Sequence, residues 1–172
     1  MMATDQNLIA VVLDSWNRNN TILLNLLYAL PEGGLSVRAL VGGPTAAQLL
    51  MHIHSVRLSL VAEDAPEFAP SLPPDLLPEE EWADERDSLR IARMLMASAQ
   101  AVWNAVQGRT AAGQVMHLHY DHPVLLLQHL IWHEGYHHGQ IKLALKIAGL
   151  AIADQDAGPC TWAIWMNKEE PK

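Results

Sequence analysis

The sequence has few of the residues that staple, anchor or electrify a protein. It has one cysteine, one phenylalanine and three tyrosines, and only 11 Lys plus Arg against 19 Asp plus Glu. Cys160 cannot close an internal disulfide on its own, which excludes a disulfide framework and fits a reducing compartment. No stretch approaches the run of about 18 apolar residues that a membrane span needs. The amino terminus has no basic start, and Asp14, Asn17 and Arg18 interrupt its apolar residues, so it does not read as a secretory signal. The net charge is -8, with no basic run anywhere to attract a nucleic acid or an anionic lipid surface. The expectation is a cytoplasmic protein with no nucleic-acid partner and no membrane partner.

What remains is apolar mass of a particular kind. Half of the 172 residues are hydrophobic, supplied mainly by Leu, Ala, Val, Ile and Met, which favour helix or tolerate it. That length suits one domain, 1–172, with a sizeable core. Leu8, Ile9, Val12, Leu13, Trp16, Ile22, Leu23, Leu26, Leu27 and Leu30 recur at a helical rhythm, predicting helix one over 5–30, which Pro31-Glu32-Gly33-Gly34 stops. Thr45 with Gln48 three residues on reads as a capping box for helix two, Ala46 to about Glu63. Five prolines over 66–78 make a loop or extended crossover. Helix three is predicted from near Glu79, through Trp82, to about Val106, with Gly108 and Gly113 breaking it. The alternation from Val115 to Tyr120 suggests a short strand. Asp121 or His122 can cap helix four, with Pro123 in its first turn and Gly149 just past its end. The tail, 150–172, is expected to pack back on the helices. The fold class is all-α, a four-helix bundle with one long crossover connection.

Nine histidines carry the functional signal. His129, His133 and His137 stand four apart on helix four, so they share one stripe. Two imidazoles one turn apart can converge on a single metal ion, and helix two can supply a third from His52 or His54. Those two point about 200° apart on a helix, and periodicity leaves the choice between them open. An isolated buried histidine is ordinarily a core residue with a hydrogen-bond partner, but two uncompensated imidazoles in a core are costly. His133-Glu134-Gly135-Tyr136-His137 also spells H-E-x-x-H, the pattern in which a glutamate acts as base at a zinc site. No further ligand follows it, which argues against a true zinc protease. Glu134 remains a candidate base, with a solvated helix face as its ordinary reading. Trp103, Trp132, Trp162 and Trp165 are candidate walls for an apolar pocket.

Two segments resemble the DinB/YfiT-like family of metal-binding four-helix bundles. Thr45-Ala-Ala-Gln-Leu-Leu-Met-His52 is similar to the family's capped second helix, and His133-Glu-Gly-Tyr-His137-His138-Gly139-Gln140-Ile141 is similar to its H-x-x-x-H-x-G-Q-I signature. Helix order and the Pro-rich crossover extend the likeness over most of 5–150. The resemblance implies His52, His133 and His137 as metal ligands, with His54 and His138 outside the first shell of ligands. His138 stands where many relatives carry Arg. His129 becomes a pocket candidate, while His117, His119 and His122 belong to the connection. The resemblance further implies a divalent metal, zinc or nickel foremost and iron or manganese next, with an open coordination position. A low-molecular-weight thiol cosubstrate would make the protein a thiol S-transferase acting on a small-molecule substrate. The alternatives are a metal-dependent hydrolase and a non-catalytic metal-binding stress protein. A homodimer is expected by analogy.

Overall fold

Three of the four long helices begin where a side chain satisfies their first free amide groups. In the computed structural model, which describes residues 2–77 and 80–166, α1 spans Met2–Ala29, α2 Ala46–Asp64, α3 Ser88–Ala111 and α4 Pro123–Ile147. Two short helices follow, α5 (Asp154–Cys160) and α6 (Trp162–Met166). Among the described residues there is no strand, only one isolated bridge between Arg38 and Thr45. The capping box of α2 is present: the Thr45 hydroxyl accepts from Gln48 N, and Gln48 Oε1 accepts from Thr45 N. His122 Nδ1 accepts from Val124 N at 3.1 Å to cap α4, and Pro123 opens it. Gly149 follows at φ 72°, a conformation glycine adopts freely.

Helix three departs from expectation at both ends. It starts at Ser88, because the Asp87 carboxylate accepts from Leu89 N and Arg90 N. Residues 80–87 are therefore an irregular segment ahead of the helix, and Glu79 lies outside the described residues. At the other end Gly108 does not break the helix, which continues to Ala111. A Cβ at 108 would meet the Phe68 ring at 2.1 Å, so this glycine admits a ring from the crossover. The alternating segment 115–120 is not a strand either. Its amides turn to one buried carboxylate, with Asp64 Oδ1 accepting from Leu118 N and His119 N at 2.8 Å each. Asp64 Oδ2 meets His119 Nδ1 at 2.8 Å, and the Asp64 carbonyl accepts from His117 N.

The four long helices pack on one another, and α5 and α6 lie against α1. Two bonds tie this tail down: Asn25 Nδ2 donates to the Cys160 carbonyl at 2.8 Å, and Arg18 to the Ile164 carbonyl at 2.6 Å. The expected packing of the tail holds to Met166; residues 167–172 lie outside the described set. The core has two apolar halves. One is built on Leu23, Leu50, Ile53, Ile91, Leu95 and Ile141, the other on Leu13, Trp16, Val61, Val102, Leu126 and Leu130. Between them lies a polar layer. Arg57, fully buried, donates through Nε to Glu134 Oε1 at 2.6 Å and through Nη2 to Glu134 Oε2 at 2.7 Å. Its Nη1 reaches Asn20 Oδ1 and the Leu95 carbonyl, both at 2.9 Å, and its guanidinium lies 4.7 Å from the Trp16 ring centroid. All four long helices thus meet at one side chain.

Candidate metal centre

The metal-centre candidates come from the middle of α2 and the middle of α4. Seven residues past its cap, α2 presents His52 on its half-buried side with Val56 and Leu60, while His54 turns inward with Leu50, Ile53 and Val61. On α4, His133 and His137 face the same way one turn apart. The result is a tight cluster: His52 Nε2 lies 3.2 Å from His133 Nε2, which lies 2.9 Å from His137 Nε2. One ring nitrogen from each falls within 4.8 Å of the other two.

Hydrogen-bond partners at the far nitrogens show what these atoms present to one another. His52 Nδ1 meets Glu81 Oε1 at 2.7 Å, and His137 Nδ1 meets Gln140 Oε1 at 2.7 Å. Both partners are acceptors, so each Nδ1 carries a proton, and in the neutral form of such a ring the Nε2 lone pair turns inward. Burial, then the neighbouring His137 and His52 imidazoles, pushes His133 down to about 4. His137 is also lowered by burial, with Gln140 opposing. These two rings are therefore neutral at ordinary pH, the form that ligates a metal. Without a metal, a proton on His133 Nε2 can be donated to only one of its two neighbours at a time, whereas a cation between the three nitrogens engages all of them. Two nitrogens about 2.0–2.1 Å from one tetrahedral zinc stand roughly 3.3 Å apart, close to the distances here. The donor set and its spacing fit a small divalent ion.

The other histidines fall outside this cluster. His54 is fully buried and its Nε2 meets the Leu76 carbonyl at 3.2 Å. His138 is half-buried beside Lys142, and burial lowers it. His129 is exposed, with its Nδ1 2.7 Å from the Tyr120 hydroxyl and its ring 6.4 Å from that of His133. His119 pairs with Asp64 and His122 caps α4. Glu134 does not lie on a solvated face. It is wholly buried, and both oxygens are engaged, Oε1 by Arg57 and Oε2 by Arg57 and Asn19 Nδ2 at 2.6 Å. Of the tryptophans proposed as pocket walls, Trp132, Trp162 and Trp165 are exposed. The tryptophan at the centre is Trp82, whose ring stacks on His52 at 4.0 Å and 7°. Sequence reasoning missed Trp82 and Glu81 because it placed the first on a helix that begins later and gave the second no role. Gln140, at i+3 from His137, was visible in the H-x-G-Q string but had no assigned task.

His54 gives a pH-dependent prediction. Burial pushes it down to about 4 from the ordinary 6.5, so the folded state resists a proton that the unfolded state accepts. Its contribution is complete above about pH 6.5 and is lost as pH falls towards 4. That loss is on the order of 3 kcal/mol at about 1.4 kcal/mol per unit. Urea unfolding of the metal-free protein at pH 7 and 4.5 should therefore show a larger drop for wild type than for His54→Leu.

The DinB family model matches residues 2–166. No curated protein and no solved structure matches the chain.

Proposed function

The chain belongs to the DinB family, and from that premise we propose that it binds one divalent metal through Nε2 of His52, His133 and His137 and acts as a metal-dependent enzyme on a small molecule. The observation that supports this is the convergence of three Nε2 atoms, two of them held as acceptors by Glu81 and Gln140. Nitrogen donors suit zinc or nickel first, then iron or manganese. Three protein ligands leave a coordination position open, the mark of a catalytic rather than a closed structural site. When bound, the ion supplies Lewis acidity, which makes an S–H or O–H group placed there more acidic.

The reaction proposed is S-transfer from a low-molecular-weight thiol. Its sulfur forms the bond to an electrophilic carbon, its proton passes to solvent, and the leaving group departs with the electron pair. A lone cysteine and a thiol cosubstrate both suit the reducing cytoplasm, where we place the reaction. Hydrolysis is the weaker reading, since it needs a free base and both Glu134 oxygens are engaged by Arg57 and Asn19. The metal-loaded protein should consume thiol with at least one electrophile in a panel, and the activity should vanish after chelation. Metal retained in full, with no turnover across the panel, would reduce the protein to a metal-stabilised binding protein.

We also propose a homodimer through α4. Leu125, Trp132, Tyr136, Leu143 and Ile147 are exposed along one side of that helix, with Trp132 at 71%. Large exposed apolar side chains recurring along one side of a helix mark an association surface. Sedimentation should give a dimer for wild type and a monomer of unchanged helicity for Trp132→Glu combined with Leu143→Glu.

A further inference from the structure

The groups that fix His52 belong neither to its own helix nor to α4. They come from the irregular segment ahead of α3. Glu81 Oε1 accepts from His52 Nδ1 at 2.7 Å, and the Trp82 ring lies parallel to the imidazole, 4.0 Å away. This segment is fastened back to the start of α2 at two points. Gln48 Nε2 donates to the Trp82 carbonyl at 3.1 Å, and Thr45 Oγ1 donates to Asp84 Oδ1 at 2.7 Å. The residues that cap α2 therefore also hold down the strap that grips its histidine.

We propose that Glu81 and Trp82 are positioning residues of the metal centre, Glu81 selecting the Nδ1–H tautomer of His52 and Trp82 fixing its ring plane. The proposal rests on the metal reading given above. A neutral imidazole can carry its proton on either nitrogen, and only the Nδ1–H form leaves Nε2 open towards His133. A carboxylate on the far nitrogen selects that form and strengthens the ring as a donor. The three candidate ligands are not equivalent in this respect. His137 has a neutral amide acceptor in Gln140, His133 Nδ1 is buried with no partner, and His52 has a charged acceptor. His52 is also the only one supplied by α2, so its ring must be set from outside the α4 pair. Stacking on an indole restricts rotation of the imidazole about its last side-chain torsion, an ordering that would otherwise fall on metal binding.

The first measurement needs no metal. Ring nitrogen spectra of the metal-free protein should show His52 as the Nδ1–H tautomer in wild type and in Glu81→Gln, whose amide oxygen still accepts that proton. In Glu81→Ala the Nε2–H form should appear. The second measurement is a cobalt(II) titration against a competing chelator, followed by visible absorption. Glu81→Ala should bind cobalt about 10–100-fold more weakly than wild type, with Glu81→Gln in between. Trp82→Ala should weaken binding without changing the tautomer, and Trp82→Phe should restore it. An unchanged tautomer in Glu81→Ala overturns the proposal. So does equal affinity of Glu81→Ala and wild type, or equal weakening by Glu81→Ala and Glu81→Gln. If wild type takes up no cobalt at all, the metal reading fails, and the nitrogen spectra still decide whether Glu81 sets the tautomer.

Discussion

His133→Ala is expected to leave the protein folded and without its metal. His133 Nε2 is the shared vertex of the cluster, 3.2 Å from one partner and 2.9 Å from the other. Removing it leaves His52 and His137 on different helices, with no ligand between them. Structural zinc sites bind with roughly 10–16 kcal/mol. If three imidazoles share a comparable amount, losing one costs on the order of 4 kcal/mol, or about a thousandfold in affinity. Elemental analysis of protein purified without a nickel column should find about one equivalent of metal in wild type and almost none in His133→Ala. His117→Ala, an exposed change in the connection, should keep its metal. Full metal content in His133→Ala would remove the cluster from consideration.

The second large effect concerns stability rather than ligation. Arg57 and Glu134 are both wholly buried and joined through two hydrogen bonds. Removing one partner strands the other charge in a low-dielectric core, at a cost of about 3–5 kcal/mol. For a chain of this size that lowers the melting temperature by roughly 6–20 °C. Arg57→Met and Glu134→Gln should both fall in this range, although Glu134→Gln keeps the shape of the side chain. The pair Arg57→Met with Glu134→Leu should recover much of the loss, because no buried charge is then left unpaired. Since the three imidazoles are untouched, the double variant should still bind metal with near wild-type stoichiometry. Single variants that melt within about 1 kcal/mol of wild type would show that water reaches this layer and that the pair is not a lock. Thermal melts followed by circular dichroism, with and without added zinc, separate the two effects.

The burial of Glu134 against Arg57 was not legible in the sequence. In H-E-x-x-H the glutamate sits one residue after the first histidine, about 100° round the helix from it. Whether that direction is solvent, metal or core depends on what packs there. Here it is Arg57 from α2, and the string carries no trace of that partner. The same limit explains Trp82. Its apolar side chain and acidic neighbours look like a helix start, yet Asp87 caps α3 nearer its first buried residues, leaving Trp82 free to lie on His52.

By itself the sequence determined α1, α2 and α4, because periodicity, caps and glycine stops act within a few residues of one another. Thr45, His122 and Gly149 behave as their neighbours dictate. It also determined that His133 and His137 share a face, since a spacing of four is a property of any α-helix. Periodicity did not decide which of His52 and His54 faces that pair, since α2 is apolar on more than one side; the resemblance implied His52, and the tertiary structure places it there by packing α2 against α3 and α4. It alone decided that Glu134 meets an arginine, that Asp64 gathers the amides of 118 and 119, and that Glu81 holds an imidazole 29 residues away. Each of these contacts joins groups distant along the chain, and such pairs are fixed by how whole elements pack, not by local chemistry.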